Sequence, residues 1–100
     1  MTQKENVLKL IESFHKKFEE KVTKDLTKAG IIVKEFNPPY PGSMDFAQAQ
    51  VYINYKQKSF VLSFSHSGMG YILSKFPGKQ YDELKSYQSV ESLMKRLNQF

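Results

Sequence analysis

The sequence predicts a two-layer α+β sandwich in the order α-β-β-β-β-α, with an antiparallel meander sheet and a long N-terminal and a short C-terminal helix on one of its faces. Three observations predict it. An apolar stripe at helical spacing runs through the first 29 residues, period-2 alternation runs from Ala47 onward, and a shorter helical stripe closes the chain. A length of 100 residues suits a single domain over 1–100.

Val7, Ile11, Phe14, Phe18, Val22, Leu26 and Ala29 recur in steps of three and four, which stacks them on one side of a helix. Glu12–Lys16 and Glu20–Lys24 are well-oriented i,i+4 pairs on the other side. Thr2 or Asn6 caps the start, and Gly30 is the expected C′ stop. His15 falls at the edge of the stripe and reads as a histidine bonded to Glu19 or to backbone. Asp25, also within the arc, marks where the helix leaves the core or pairs with a lysine.

The β-branched run Ile31–Phe36 reads as the first strand. Asn37-Pro38-Pro39-Tyr40-Pro41-Gly42-Ser43 then forms a stiff loop, and its PxxP spacing is read as structural. Next, Ala47, Ala49, Val51, Ile53 and Tyr55 point one way while Gln48, Gln50, Tyr52 and Asn54 point the other. After Lys56-Gln57-Lys58-Ser59, Phe60, Leu62 and Phe64 resume the apolar face. The expected hairpin sets Tyr55 opposite Phe60, Ile53 opposite Leu62 and Val51 opposite Phe64, because a one-residue slip would set apolar against polar. Ser67–Gly70 turns the chain into a fourth strand, Tyr71–Phe76, which Pro77-Gly78 ends. Residues 79–88 read as either a helical turn or a packed loop. Ser89 is the N-cap of a last helix whose apolar stripe is Val90, Leu93, Met94 and Leu97.

Composition excludes several functions. There is no cysteine, so disulfides, thiolate metal sites and cysteine nucleophiles are out. Two histidines far apart give no metal-ligand spacing, and no motif implies a cofactor. No apolar run reaches membrane-spanning length and the polar N-terminus has no signal-peptide core, so the expected compartment is the cytoplasm, with no membrane partner. Net charge is +5, but the basic residues are 14 lysines and the single Arg96. One arginine equips the chain poorly for reading double-stranded DNA, whereas lysines hold phosphates without reading sequence. Residues 1–45 carry eight lysines and seven acids, a net of +1. The remainder carries seven basic residues and three acids, a net of +4, with no acid between Asp45 and Asp82.

The polar face of the sheet, where no helix is expected, is therefore the candidate contact surface. In the expected register Tyr52 lies opposite Ser63, Gln50 opposite Ser65 and Asn54 opposite Val61. With Gln48, Lys56, Lys58, Lys75 and Lys79 they make a basic face of amides and hydroxyls that can stack a base and hold a phosphate. It has fewer aromatics than sheet-based RNA readers. Catalytic readings fare worse. In Ser65-His66-Ser67-Gly68-Met69-Gly70, strand neighbours diverge and no acid lies nearby in sequence to orient a base. Asp82, Glu83 and Glu91 read as surface charge rather than a glycosidase pair.

The expectation is a small non-enzymatic accessory or inhibitor-type protein that docks a macromolecule, preferably nucleic acid or an enzyme acting on it. Accessory proteins of phages and mobile elements have this size and character. The alternative is a protein–protein module, toxin-neutralising or chaperone-like, with no nucleic-acid contact. A homodimer through the long helix belongs to that alternative, although the 4-4 steps break a strict heptad.

Overall fold

The computed structural model describes residues 3–77 and 85–100. Over these the chain runs α1 (Gln3–Lys28), β1 (Ile32–Asn37), a 3-10 turn (Phe46–Gln48), β2 (Gln50–Tyr55), β3 (Lys58–Phe64), β4 (Tyr71–Lys75), β5 (Ser86–Tyr87) and α2 (Val90–Leu97). The strands pair antiparallel in chain order, β1-β2-β3-β4-β5. The expected mixed α+β meander is the observed fold. The ambiguous stretch after Pro77 contributes a fifth, two-residue strand, and its residues 79–84 lie outside the described ones.

Gly30 ends α1 as a Schellman cap. Its φ of +86° lets Ile31 N donate back to Leu26 O and Gly30 N to Thr27 O, each at 3.0 Å. The cap delivers Ile31 beside Leu26, and both are buried. At the other helix, Ser89 Oγ accepts from Ser92 N at 3.1 Å, the expected N-cap. Leu93 and Leu97 of α2, with Val22 and Leu26 of α1, cover the inner sheet face of Ala49, Val51, Ile53, Phe60, Leu62, Phe64 and Leu73. Each of these sheet residues is at most 3% exposed, so the inner pleat supplies most of the hydrophobic driving force.

Three details depart from the sequence reading. The β2–β3 register slides by two residues: Val51 faces Leu62, Ile53 faces Phe60 and Tyr55 faces Lys58. On the outer face Gln50 therefore meets Ser63, Tyr52 meets Val61 and Asn54 meets Ser59, replacing the expected partners. The reason is the turn. Lys56 and Gln57 both take positive φ, 50° and 66°, closing a two-residue loop of the kind whose twist matches a hairpin. A slide of two leaves every side chain on its expected face.

Next, Gln48 is not on a strand. Asp45 Oδ1 accepts from Ala47 N at 3.0 Å, which caps a 3-10 turn where alternation predicts the start of β2. Lastly, the apolar stripe of α1 is only half covered. A 26-residue helix is about 39 Å long, whereas a six-residue strand spans about 20 Å. The helix overhangs the sheet, and Val7 and Phe14 of the stripe are 53% and 44% exposed, while Leu10, off the stripe and turned from the sheet, is 58% exposed.

Two β-bulges shape the outer face. Lys34 is the extra residue between the pairs Val33–Ile53 and Glu35–Tyr52. Ser74 is the extra residue between Leu62–Leu73 and Val61–Lys75. Each bulge shifts the pleat by one, turning Glu35 and Lys75 to the same side as Tyr52 and Val61.

Candidate functional site

The two bulges align Glu35, Tyr52, Val61 and Lys75 in one row across four strands, on the sheet face away from both helices. At about 4.8 Å per strand the row spans about 14 Å. Lys34 and Pro77 join it, with Asn54 and Ser59 one step along, around an open groove of about 910 Å³. Tyr52 and Asn54 are half-buried, Val61 is 7% exposed, and Lys34, Glu35, Ser59 and Lys75 are exposed. Ser59 Oγ donates to Asn54 Oδ1 at 3.0 Å, so the oxygen of this amide already accepts one bond. Phe60 and Phe76 also border the groove but are buried, so its more exposed side chains offer one aromatic ring, two ammonium groups, a carboxylate and an amide.

Among the sequence candidates, Tyr52, Asn54 and Lys75 meet in this groove. Gln50 and Ser63 pair with each other at the far end of the same face. Ser63 Oγ shares a hydrogen bond with Ser74 Oγ across the β3–β4 bulge. Ser65 lies past the end of β3 and its hydroxyl donates to Met69 O at 2.7 Å. Gln48 sits in the 3-10 turn and accepts from Tyr40 N at 3.2 Å.

Lys56 and Lys58 do not belong to the outer face. Lys56 Nζ donates to Asn98 Oδ1 at 2.8 Å, and Lys58 Nζ donates to the Phe100 carbonyl oxygen. Tyr55 Oη shares the Asn98 acceptor at 2.9 Å. These bonds tie the hairpin tip to the end of α2, on the helix side of the sheet. Alternation itself explains Lys58, which stands two residues before Phe60 and pairs with Tyr55, and so shares the inward phase. Lys79 lies outside the described residues. Lys34 and Glu35 were missed by sequence, because the bulge that aims them interrupts the alternation.

The His66 hairpin holds a pairing that sequence distance hid. His66 Nδ1 donates to Asp45 Oδ1 at 2.7 Å, across 21 residues. That bond, and then the donation from Ala47 N, hold the Asp45 carboxyl below its ordinary value. Ser65 is bonded to Met69 O and Ser67 Oγ lies 3.2 Å from Ser65 Oγ, so neither hydroxyl is presented to the imidazole as a nucleophile.

A smaller cavity of about 250 Å³ lies between α1, the Gly68–Gly70 turn and the entry to α2. Tyr71, Asp25 and Lys21 line it. Burial, and then the Asp25 carboxylate, push the Tyr71 phenol up, so it is neutral at physiological pH. Gly70, with φ +83°, closes one side; any Cβ there would collide with the Ser86 hydroxyl of β5. His66 is absent from this lining.

No family model, curated protein or solved structure matches this chain. Among the described residues there is no group of three metal-ligating side chains and no helix long and apolar enough to cross a membrane.

Proposed function

We propose that this protein is a small non-enzymatic binding protein that holds single-stranded nucleic acid in the groove on its outer sheet face. The observation that carries the reading is the row Glu35–Tyr52–Val61–Lys75, joined by Lys34. The half-buried Tyr52 ring is a stacking platform for a base, with the Val61 side chain extending its apolar floor. Lys34 and Lys75, at opposite margins of the groove, are point charges for backbone phosphates. Glu35 and the Asn54 amide supply an acceptor and donors for base edges, which a splayed single strand exposes and a duplex hides. Lysines rather than arginines suit loose tracking of a backbone better than bidentate reading of guanine.

The test is fluorescence anisotropy with a labelled single-stranded oligonucleotide, at low and at physiological salt. Binding should weaken steeply as salt rises, because two or more phosphates release counterions. Tyr52→Ala should weaken binding about tenfold or more, since stacking on one ring is worth about 1–3 kcal/mol. Affinity that ignores salt, or that survives Tyr52→Ala together with Lys75→Gln, contradicts the proposal.

A further inference from the structure

We infer that the cavity between α1, the Gly68–Gly70 turn and the entry to α2 is a second binding site, for a small zwitterion of the amino-acid type. Tyr71 is only 9% exposed, yet its hydroxyl makes no hydrogen bond among the described residues. Among those residues no fully buried side-chain oxygen or nitrogen lacks a partner, so open space reaches this oxygen. The space that Tyr71 lines is this cavity. A polar group set in an apolar wall with nothing to bond does not recover its desolvation cost, and calls for a ligand. Asp25 is the second such group. Its carboxylate acts on the Tyr71 hydroxyl through space without bonding it. Lys21 stands one turn before Asp25, at a spacing where charges can pair, and the two form no ion pair among the described residues.

These groups select the ligand. A carboxylate and a phenol oxygen that line one space without bonding each other are two acceptors for one ammonium group. A cation alone would meet Lys21 as a like charge, and an anion alone would meet Asp25. A molecule carrying both charges satisfies both side chains, its ammonium between Asp25 and Tyr71 and its carboxylate at Lys21. Along the wall, the ring centres of Phe18 and Phe64 lie 4.9 Å apart and those of Phe64 and Tyr71 5.8 Å apart. The rings give apolar contact to a ligand side chain and a favourable surface to the ammonium. At about 250 Å³ the cavity falls below the roughly 300–1,000 Å³ of drug-sized sites, which suits a ligand no larger than an amino acid.

The test is an NMR titration of the labelled chain with L-leucine and with L-methionine, each beside the amine and the acid that lack one of its charges. For leucine these are 3-methylbutylamine and 4-methylpentanoate. At least one amino acid should bind with a Kd of about 1 mM or below, moving the amides of Lys21, Asp25, Gly70 and Tyr71. Its amine and its acid should each bind at least tenfold more weakly. Asp25→Asn and Tyr71→Phe should each weaken the amino acid about tenfold. Tyr71→Phe should leave the urea midpoint unchanged, because the hydroxyl it removes bonds nothing in the fold. Tyr52→Ala, in the outer groove, should leave amino-acid binding unchanged, so this site and the nucleic-acid groove stand or fall separately. The inference is overturned if neither amino acid shifts these amides at about 10 mM. It is equally overturned if the amine or the acid binds as tightly as the zwitterion, or if binding survives Asp25→Asn together with Tyr71→Phe.

Discussion

His15 Nε2 donates to the carbonyl oxygen of Ser43 at 2.5 Å, joining the middle of α1 to the end of the proline loop 28 residues away. A carbonyl only accepts, so Nε2 carries the proton. The imidazole is 8% exposed and packs edge-on to Phe46, with ring centres 6.1 Å apart. This bond anchors the chain between β1 and the 3-10 turn, which in turn fixes where β2 begins. His15→Ala leaves a carbonyl short of its donor and a gap beside Phe46. It should destabilise the fold by about 1–3 kcal/mol in urea unfolding.

Asp45 and His66 make a pH-dependent clasp at the far end of the β3–β4 hairpin. The folded carboxyl titrates below its ordinary value, so what it contributes is present above the unfolded pKa and is lost as pH falls through the lower, folded one. That window lies below about pH 4. In a carbon-detected NMR titration Asp45 should protonate at lower pH than an exposed aspartate. His66→Ala removes the larger cause and should move the Asp45 midpoint up toward the ordinary value. An unchanged midpoint would separate the two residues.

The hairpin turn stores a conformational cost. Gln57 holds φ 66° without being glycine, in a region that disfavours side chains. Gln57→Gly should stabilise the protein by about 1 kcal/mol, read as a higher urea midpoint. Lys56→Gly should gain less, because it also discards the bond from Lys56 to Asn98.

Periodicity made the architecture legible. The two helices, the Gly30 and Ser89 caps, and the inner pleat of Val51, Ile53, Leu62 and Phe64 all follow from spacing and local chemistry. What periodicity could not show was anything that breaks it. The Lys34 and Ser74 bulges each insert one residue without a sequence mark, and they decide which cations reach the outer face. The turn at Lys56-Gln57 lacks the Asn-Gly signature of its geometry, so the register was displaced by two. Partnerships between distant residues, such as His66 with Asp45, have no local signal at all. The candidate surface therefore kept its tyrosine, its amide and Lys75 but exchanged Lys56 and Lys58 for Lys34.

The groove also makes a contrast between the two pleats testable. Leu62→Ala, on the inner face, should cost about 2–5 kcal/mol of stability. Tyr52→Ala, on the outer face, should cost much less stability while removing most of the nucleic-acid affinity.

The most direct test is a two-dimensional NMR titration of the labelled chain with a short single-stranded oligonucleotide. The largest shift changes should fall on Lys34, Tyr52, Asn54, Val61 and Lys75, with the α1 and α2 amides unmoved. Changes concentrated on the helices, or none at millimolar oligonucleotide, would contradict the proposed interface.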